Sequence, residues 1–261
     1  MAARNLTLLR GKLYFAEFLT GTQTPGALRF IGNVTELNVN TDAQELEHRS
    51  STEGRNEKDY STVLQTDRML SITTDDMGHD NVGLHAMGVV ETVTVASGSN
   101  VTSAISGAVQ GGIYQLGQTP ARPEGLRNLS SVVIASTGGS PTTFVLNTDY
   151  TIDTATGLLT IVEGGNIADE TDLVATFDNG AYSFTRIKAG TTKKEGELRW
   201  ISTNPDGPQR NYIFPWVKMG PAADLSLVNQ QDWATLGFEG EVLKKDNVDP
   251  WIAYGAATPT S

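Results

Sequence analysis

Histidines and nearby aspartates are the side chains best suited to metal or acid–base chemistry. His79 and His85 are six residues apart, a spacing that does not place two ligands on one face of a helix. Asp75, Asp76 and Asp80 lie close by, but a carboxylate in this position can equally accept the free backbone N–H groups at a helix start. Because the stretch matches no recognised metal-ligand spacing, we expect no metal site.

Nucleophilic catalysis has no better support. The chain contains no cysteine, which excludes a thiolate nucleophile, a disulfide framework and a zinc–thiolate site. Neither a G-x-S-x-G elbow nor a phosphate-binding P-loop is present. Paired carboxylates such as Glu45 and Glu47 lie in a highly charged stretch, where a shifted pKa is not expected. We predict a protein that is not an enzyme and has no cofactor; a hydrolase of unrecognised type would need buried, convergent acids.

The charge balance narrows the possible partners. The formal net charge is −11, whereas proteins that bind nucleic acid normally present a basic surface to the phosphates. We therefore expect this chain to repel DNA. The N-terminal run MAARNLTLLRGKLYFAEF lacks the apolar core of a signal peptide. No stretch approaches the ~20 apolar residues of a membrane helix, so we expect no membrane partner.

Composition and periodicity predict an all-β fold with one short helix. The 27 glycines, with recurrent Thr and Ser, favour many short strands joined by turns. Residues 34–40 alternate apolar and polar side chains, which is typical of a half-buried strand with one polar face. The polar positions are Glu36, Asn38 and Asn40. The helix is predicted over residues 76–88.

Long strands return near the C-terminus. Residues 211–219 place three aromatic residues at alternate positions, which predicts a common face for Tyr212, Phe214 and Trp216. Pro215 within this run indicates an edge strand or a bulge, because proline cannot donate to a ladder. Further strands are predicted at residues 224–228 and 233–242.

Residues 41–60 form the most unusual segment. They are almost wholly polar, dense in charge, and flanked on both sides by strand patterns. A structureless loop of this length is uncommon in a compact domain. We predict a long hairpin whose tip projects from the domain; the alternative is a mobile surface loop.

The middle of the chain differs in composition. Residues 92–190 are rich in Thr, Ser, Gly, Val and Asn, and residues 128–178 contain four strand runs separated by clear turn signals. This pattern predicts a small β-sandwich, with residues 96–125 ambiguous. We expect one β domain of residues 1–91 plus 191–261, interrupted by an inserted domain of residues 92–190.

Three runs carry a family resemblance. GKLYFAEF and the strands that follow it, and ELRWISTNPDGPQRNYIFPWVKM near the C-terminus, resemble the major tail tube proteins of long-tailed, siphovirus-like bacteriophages. The run NTDYTIDTATGLLTI resembles small immunoglobulin-like modules of phage structural proteins. The resemblance implies a tail-tube β-sandwich or barrel with a long hairpin arm, interrupted by an immunoglobulin-like insertion.

The resemblance also implies an assembly. Hexameric rings would stack into a tube through which DNA passes without specific binding, and the charged hairpin would reach an adjacent ring. The further partners would be the tape measure protein, the tail terminator and baseplate proteins. The protein would reside in the virion tail, and in the host cytoplasm during assembly. The inserted domain would decorate the outside or stiffen contacts between subunits.

Two sets of residues follow as site candidates. Negative charge along a channel would repel phosphates and keep DNA sliding; the alternative is an ordinary solvated sheet face. The candidates for the channel lining are Glu36, Asn38, Asn40, Glu195 and Glu197. Mixed charge at the hairpin tip suits a self-complementary contact between identical rings. The candidates for this arm contact are Arg49, Ser50, Glu53, Arg55, Glu57, Lys58 and Asp59.

Other functions share these features. A tail terminator, another baseplate component and a type VI secretion tube-like subunit would each have a related fold. A carbohydrate-binding adhesin is an alternative of a different class, and it predicts a pocket with exposed aromatic residues within residues 92–190.

Overall fold

The computed structural model describes residues 6–50, 54, 56–228 and 230–255. The fold is all-β with one short helix, α1 (His79–His85). In chain order the strands are β1 Gly11–Glu17, β2 Arg29–Phe30, β3 Val34–Ser50, β4 Glu57–Thr74, β5 Val89–Val95, β6 Gly98–Ala108, β7 Ile113–Gln115, β8 Leu129–Ser136, β9 Tyr150–Asp153, β10 Leu158–Ile161, β11 Thr171–Asn179, β12 Tyr182–Lys188, β13 Lys194–Ser202, β14 Arg210–Pro221, β15 Leu236–Val242 and β16 Ile252–Gly255.

The chain forms two compact units. One, called the body, comprises residues 1–91 and 186–261; the other, called the insert, comprises residues 92–185. The sequence places the return to the first domain at residue 191, whereas the body resumes at residue 186. The chain leaves the body within β5 and returns within β12, and these two strands pair in a two-stranded sheet.

The body is built around one curved sheet. Its strand order is β2-β1-β13-β14-β15-β4-β3, and β16 pairs with β14. Strands β2 and β3 stand at opposite ends of this order, yet only residues 31–33 separate them in sequence. Because so short a link reaches at most about 14 Å, the sheet must curl until its two ends approach. The Thr74 hydroxyl donates to the carbonyl oxygen of Asn33 at 2.8 Å and holds the link in place.

The concave side of the body sheet carries a single hydrophobic core. Alternate residues of β15 show why: Leu236 and Phe238 are fully buried, while the intervening Gly237 and Glu239 are not. Helix α1 adds Leu84 to this core. The other large core residues are Leu13, Phe15, Ile31, Leu70, Ile72, Leu198, Phe214, Val217 and Met219.

Helix α1 is shorter than the predicted span of residues 76–88. The Asp76 carboxylate accepts the backbone N–H of Gly78 at 2.8 Å, so it forms a turn before the helix and leaves the helix N-cap residue, Gly78, without a side-chain cap. The buried Asn81 side chain then donates to the carbonyl oxygens of Ile31 at 2.8 Å and Asp76 at 3.0 Å. These bonds fix the helix against the link between β2 and β3.

The predicted strands near the C-terminus need correction. Strand β14 lies inside the sheet, so Pro215 marks a bulge and not an edge strand. Residues 224–228 are not a strand, and β15 begins at Leu236 instead of residue 233.

The insert contains two three-stranded sheets, β6-β11-β8 and β7-β10-β9, around one core. Strand β6 occupies part of the stretch that is ambiguous in sequence, and it pairs along most of β11. The largest fully buried side chains of this core are Leu116, Ile134, Leu159, Ile161, Ile167 and Phe177.

Candidate functional site

The register of the body sheet brings the two groups of lining candidates onto one face. Residues directly opposite each other in antiparallel strands point to the same side of a sheet. A continuous row of such pairs joins Asn40 to Met69, Met69 to Glu241, Glu241 to Lys218, and Lys218 to Glu195. Asn40 of β3 and Glu195 of β13 therefore share a face although three strands lie between them.

Neighbouring rows extend this surface. Asn38 pairs with Ser71, which pairs with Glu239, and Glu36 pairs with Thr73. The face is opposite the core, because the intervening residues of β4 and β15 are buried. We call this surface the polar face, and its members are Glu36, Asn38, Asn40, Ser71, Thr73, Glu195, Lys218, Glu239 and Glu241.

Charges on the polar face are only partly compensated. The Lys218 ammonium lies 3.5 Å from the Glu195 carboxylate, and the Lys193 ammonium lies 2.5 Å from that of Glu239. Glu36 accepts a hydrogen bond from the Asn38 amide at 2.6 Å. Within the described residues neither Glu36 nor Glu241 has an ion-pair partner. The face therefore keeps an excess of negative charge towards β3 and β15.

Glu197 departs from the expectation for a lining residue. It is only 9% exposed, and its carboxylate accepts a hydrogen bond from the Arg199 guanidinium. Gly196 pairs with Val217 and Leu198 with Phe214, so Glu197 lies opposite the bulge in β14. Its neighbour Leu198 points to the core, so Glu197 is on the same side of the sheet as Glu195, where it is covered and its charge is compensated by Arg199.

Strands β3 and β4 extend far beyond the rest of the sheet. The last residue that β4 pairs with β15 is Met69, whereas β3 and β4 continue to pair from Thr41–Arg68 to Ser50–Glu57. This extension, residues 41–50 and 57–68, is called the arm. Ten strand residues span about 33 Å. The described part of the segment is thus an antiparallel ladder, with irregularities between Gln44 and Glu45 and between His48 and Arg49.

Acids and bases on the arm pair with one another. Lys58 lies 2.9 Å from Glu47 and 3.6 Å from Glu45, and Arg49 lies 2.9 Å from Glu47. The hydrogen bond from Lys58, followed by that from Arg49, lowers the pKa of Glu47, and the bond to Glu47 raises the pKa of Lys58. Since these pairs are solvent-exposed, each adds little to stability.

The remaining arm candidates lie near the tip. Asp59 contacts His48 at 2.6 Å on the arm itself. Ser50 and Glu57 form the last described pair of the ladder. Glu53 and Arg55 lie outside the described residues. Four of the seven candidates, Arg49, Ser50, Glu57 and Lys58, are therefore in the paired ladder, and Asp59 lies at its bulge.

Sequence reasoning missed the apolar side chains of the arm. Leu46 is 58% exposed, Tyr60 65%, Val63 53% and Leu64 67%. In sequence these residues resemble the core positions of a half-buried strand. Only the structure shows that no other strand or helix covers this part of the ladder among the described residues.

The described residues show neither a metal-binding cluster nor a membrane-spanning helix. Within the described residues no group of three or more His, Asp or Glu side chains could hold a metal ion. The described part of the chain has no helix with the length and apolar character needed to cross a membrane.

Comparison with known proteins places the chain in a family. A family model described as "Protein of unknown function UCP028589" matches residues 6–252. The chain belongs to this family. The match covers the insert and most of the body. A search of curated proteins finds no match.

Proposed function

We propose that the chain is a structural subunit of a phage tail tube, which assembles as stacked hexameric rings around an acidic channel for DNA passage. The proposal joins the resemblance in the terminal strands to the architecture of the body. One observation carries it: the arm extends about 33 Å beyond the sheet, with exposed apolar side chains and no partner in its own described chain.

An arm of this kind would be unfavourable in a monomer. An isolated two-stranded ribbon is marginally stable in water, and its free edges and apolar residues invite pairing with other chains. An assembly that buries Leu46, Tyr60, Val63 and Leu64 would remove both problems. The arm is therefore best explained as an element that contacts further copies of the chain.

The polar face suits the second half of the proposal. It combines four glutamates with Lys218, and it lies on the side of the sheet opposite the core. When copies join side by side, such faces would form a continuous lining. Its excess of negative charge would repel phosphates and prevent DNA from adhering.

The adhesin alternative predicts exposed aromatic residues in a pocket on the insert. A cleft of about 500 Å³ does exist there, but Tyr114 is the one aromatic side chain in its lining. Stacking of sugar rings usually needs a broader aromatic platform, so this cleft does not favour an adhesin over a tube subunit.

The test compares the intact protein with an arm-shortened variant. Residues 44–65 are replaced by Asn-Gly, which joins the paired residues Ala43 and Thr66 through a two-residue hairpin turn. We expect the intact protein to form rings or tubes in negative-stain images. The shortened variant should remain folded by circular dichroism and form no tubes.

A second variant separates the side chains from the arm itself. Leu46→Ser with Tyr60→Ser should keep the ladder yet weaken assembly. The matched control, Val109→Ser with Val133→Ser, removes two exposed apolar residues from the insert and should assemble normally. Tubes formed by the arm-shortened variant would refute the assigned role of the arm. An intact protein that never assembles would refute the proposal that the chain is a tube subunit.

A further inference from the structure

The body contains a cleft that shares Glu36 and Asn38 with the polar face. It has a volume of about 550 Å³ and lies along the edge of the sheet at β3, where residues 33–39 form one wall. Trp200, Tyr212 and Trp251 line the rest, together with Arg10. The rings of Tyr212 and Trp251 lie 5.9 Å apart. This surface is called the cleft.

Apolar surface continues from the cleft onto the adjoining chain. Three lining residues, Leu9, Val39 and Trp251, are themselves at least 40% exposed. The segments that contain Leu9 and Trp251 carry further exposed apolar residues, namely Leu6, Leu8, Ile252 and Tyr254. A monomeric protein seldom exposes a contiguous apolar area larger than a few hundred Å². The number of exposed apolar side chains in and beside the cleft favours another protein as the occupant over a small ligand.

The lining of the cleft includes one carboxylate, Glu36, and one cation, Arg10. The Arg10 backbone is held on both sides, since its N–H donates to Asn204 and its carbonyl oxygen accepts from Thr203, each at 2.8 Å. Its guanidinium donates to the carbonyl oxygen of Leu9 at 3.0 Å. No carboxylate within the described residues forms an ion pair with it. An occupant with an acid beside an apolar group would complement this cation.

The same unit exposes an element with these properties. Trp233 is 87% exposed, and it follows Asp232, whose carboxylate accepts the Trp233 backbone N–H at 2.8 Å. Residues 230–235 are called the knob. The loop that contains the knob is closed by the bond from the Ala222 N–H to the carbonyl oxygen of Gly237 at 3.0 Å.

We propose that the knob of one copy inserts Trp233 into the cleft of a second copy, with Asp232 facing Arg10. Tryptophan and arginine are the residues most often found at the energetic centre of interfaces, and a guanidinium beside an indole adds a cation–π attraction. The proposal rests on the proposed function, because it supplies the contact that joins neighbouring subunits.

The knob fits the cleft better than the arm does. Apolar residues of the arm are spread along a ladder, with Leu46 opposite Thr62, Tyr60 opposite His48 and Val63 opposite Glu45. Trp233 instead offers one large exposed side chain beside an acid, the combination that complements an apolar cleft containing a cation without an ion-pair partner.

The contact has a geometric consequence. Knob and cleft are different surfaces, so each copy presents one of each and the contact is heterologous. Heterologous contacts generate a closed ring when the rotation closes, and an open filament when it does not. The knob-to-cleft contact therefore accounts for ring formation, and the arm remains available for contacts of another kind.

The first experiment uses complementation of full-length variants. Trp233→Ala removes the knob and Trp251→Ala opens the cleft; each purified variant should be folded by circular dichroism and monomeric by sedimentation velocity. An equimolar mixture still contains one intact knob and one intact cleft. It should form a dimer that grows no further. The control Val145→Ala, which removes an exposed apolar side chain of the insert, should assemble as the intact protein does.

Exchanging the charges of residues 10 and 232 tests whether Asp232 faces Arg10 in the contact. Arg10→Glu and Asp232→Lys should each reduce assembly, and the double variant should restore it because the ion pair re-forms with its signs reversed. Failure of the double variant to recover would overturn the placement of Asp232 against Arg10.

The outcomes separate this contact from the tube. If the intact protein forms tubes and Trp233→Ala forms them equally well, the knob-to-cleft contact is wrong while the proposed function stands. Loss of assembly in Trp251→Ala but not in Trp233→Ala would also overturn it and would indicate the arm as the occupant. If the mixture dimerises but the intact protein forms only irregular aggregates, the knob-to-cleft contact is supported and the proposed tube function is refuted. An intact protein that stays monomeric overturns both.

Discussion

Asn166 donates two hydrogen bonds to the same carboxylate oxygen of Asp149, from its backbone N–H at 2.9 Å and its side-chain amide at 2.8 Å. The other carboxylate oxygen accepts the backbone N–H of Val145 at 2.8 Å. Asp149 is only 2% exposed. One buried carboxylate thus joins the turn before β9 to the turn after β10, and it fixes the β9–β10 hairpin in the insert.

Removal of this carboxylate should loosen the hairpin. Asp149→Ala removes a buried carboxylate that accepts three hydrogen bonds from Val145 and Asn166, and hydrogen bonds to a charged group contribute more to stability than bonds between neutral groups. We expect amide exchange across residues 144–167 to accelerate at least ~10-fold in the intact chain. The matched control is Asp153→Asn, because Asp153 is an exposed carboxylate that accepts from Thr156 at 2.6 Å. Equal effects of the two substitutions would contradict the role of burial.

Acid should weaken the same hairpin. The hydrogen bond from Val145, followed by that from Asn166, lowers the pKa of Asp149 in the folded protein. Unfolded aspartate titrates near pH ~3.9, so the native bonds stabilise the insert fully above that pH. This stabilisation is lost as pH falls through the lower, folded pKa. Exchange protection of residues 144–167 should therefore decline below about pH 4, and Asp149→Asn should lack this component of the decline.

A close approach in the body predicts a second stability effect. A Cβ atom added at Gly196 would lie 2.2 Å from the carbonyl oxygen of Ala16 and 2.7 Å from the Phe15 ring. Gly196→Ala should therefore lower the free energy of unfolding of the body by about 1–3 kcal/mol, as other overpacked cores do. Urea unfolding measures the change. Gly139→Ala is the control because a Cβ there meets nothing within 4 Å, and a similar loss in both would contradict the steric cause.

The sequence predicts a strand correctly where buried and exposed residues alternate along it. Glu36, Asn38 and Asn40 were assigned to one face of β3 from their spacing alone, and the register places them there. The strands of the 128–178 region were also predictable, because turn residues separate them. Strand β6 was not, since its residues are mostly small and polar and its pairing with β11 is a long-range contact.

Bulges and register are the main reasons for failure elsewhere. Alternation predicted a common face for Tyr212, Phe214 and Trp216, but the bulge at Pro215 shifts the phase between them. Phe214 is buried in the core, whereas the Trp216 indole N–H donates to Glu195 at 3.1 Å. Glu197 is also covered and paired with Arg199, which its position in the sequence does not indicate. The row from Asn40 to Glu195 likewise depends on four strand pairings that no local pattern encodes.

Reversal of charge on the polar face provides a direct test of the acidic lining. Glu36→Lys with Glu241→Lys changes two glutamates that have no ion-pair partner within the described residues, so the fold should be retained. Because Glu36 also lines the cleft, negative-stain images must first show that the variant forms tubes. If this face lines the channel, tubes of the variant should retain DNA, and retention should fall steeply with salt as lysine–phosphate contacts require. Co-sedimentation of tubes with short duplex DNA at two salt concentrations measures the effect. The control, Asp246→Lys with Asp249→Lys, changes the net charge equally at exposed positions of the body outside the polar face. Equal retention by both variants would show that net charge, and not the position of this face, governs the interaction with DNA.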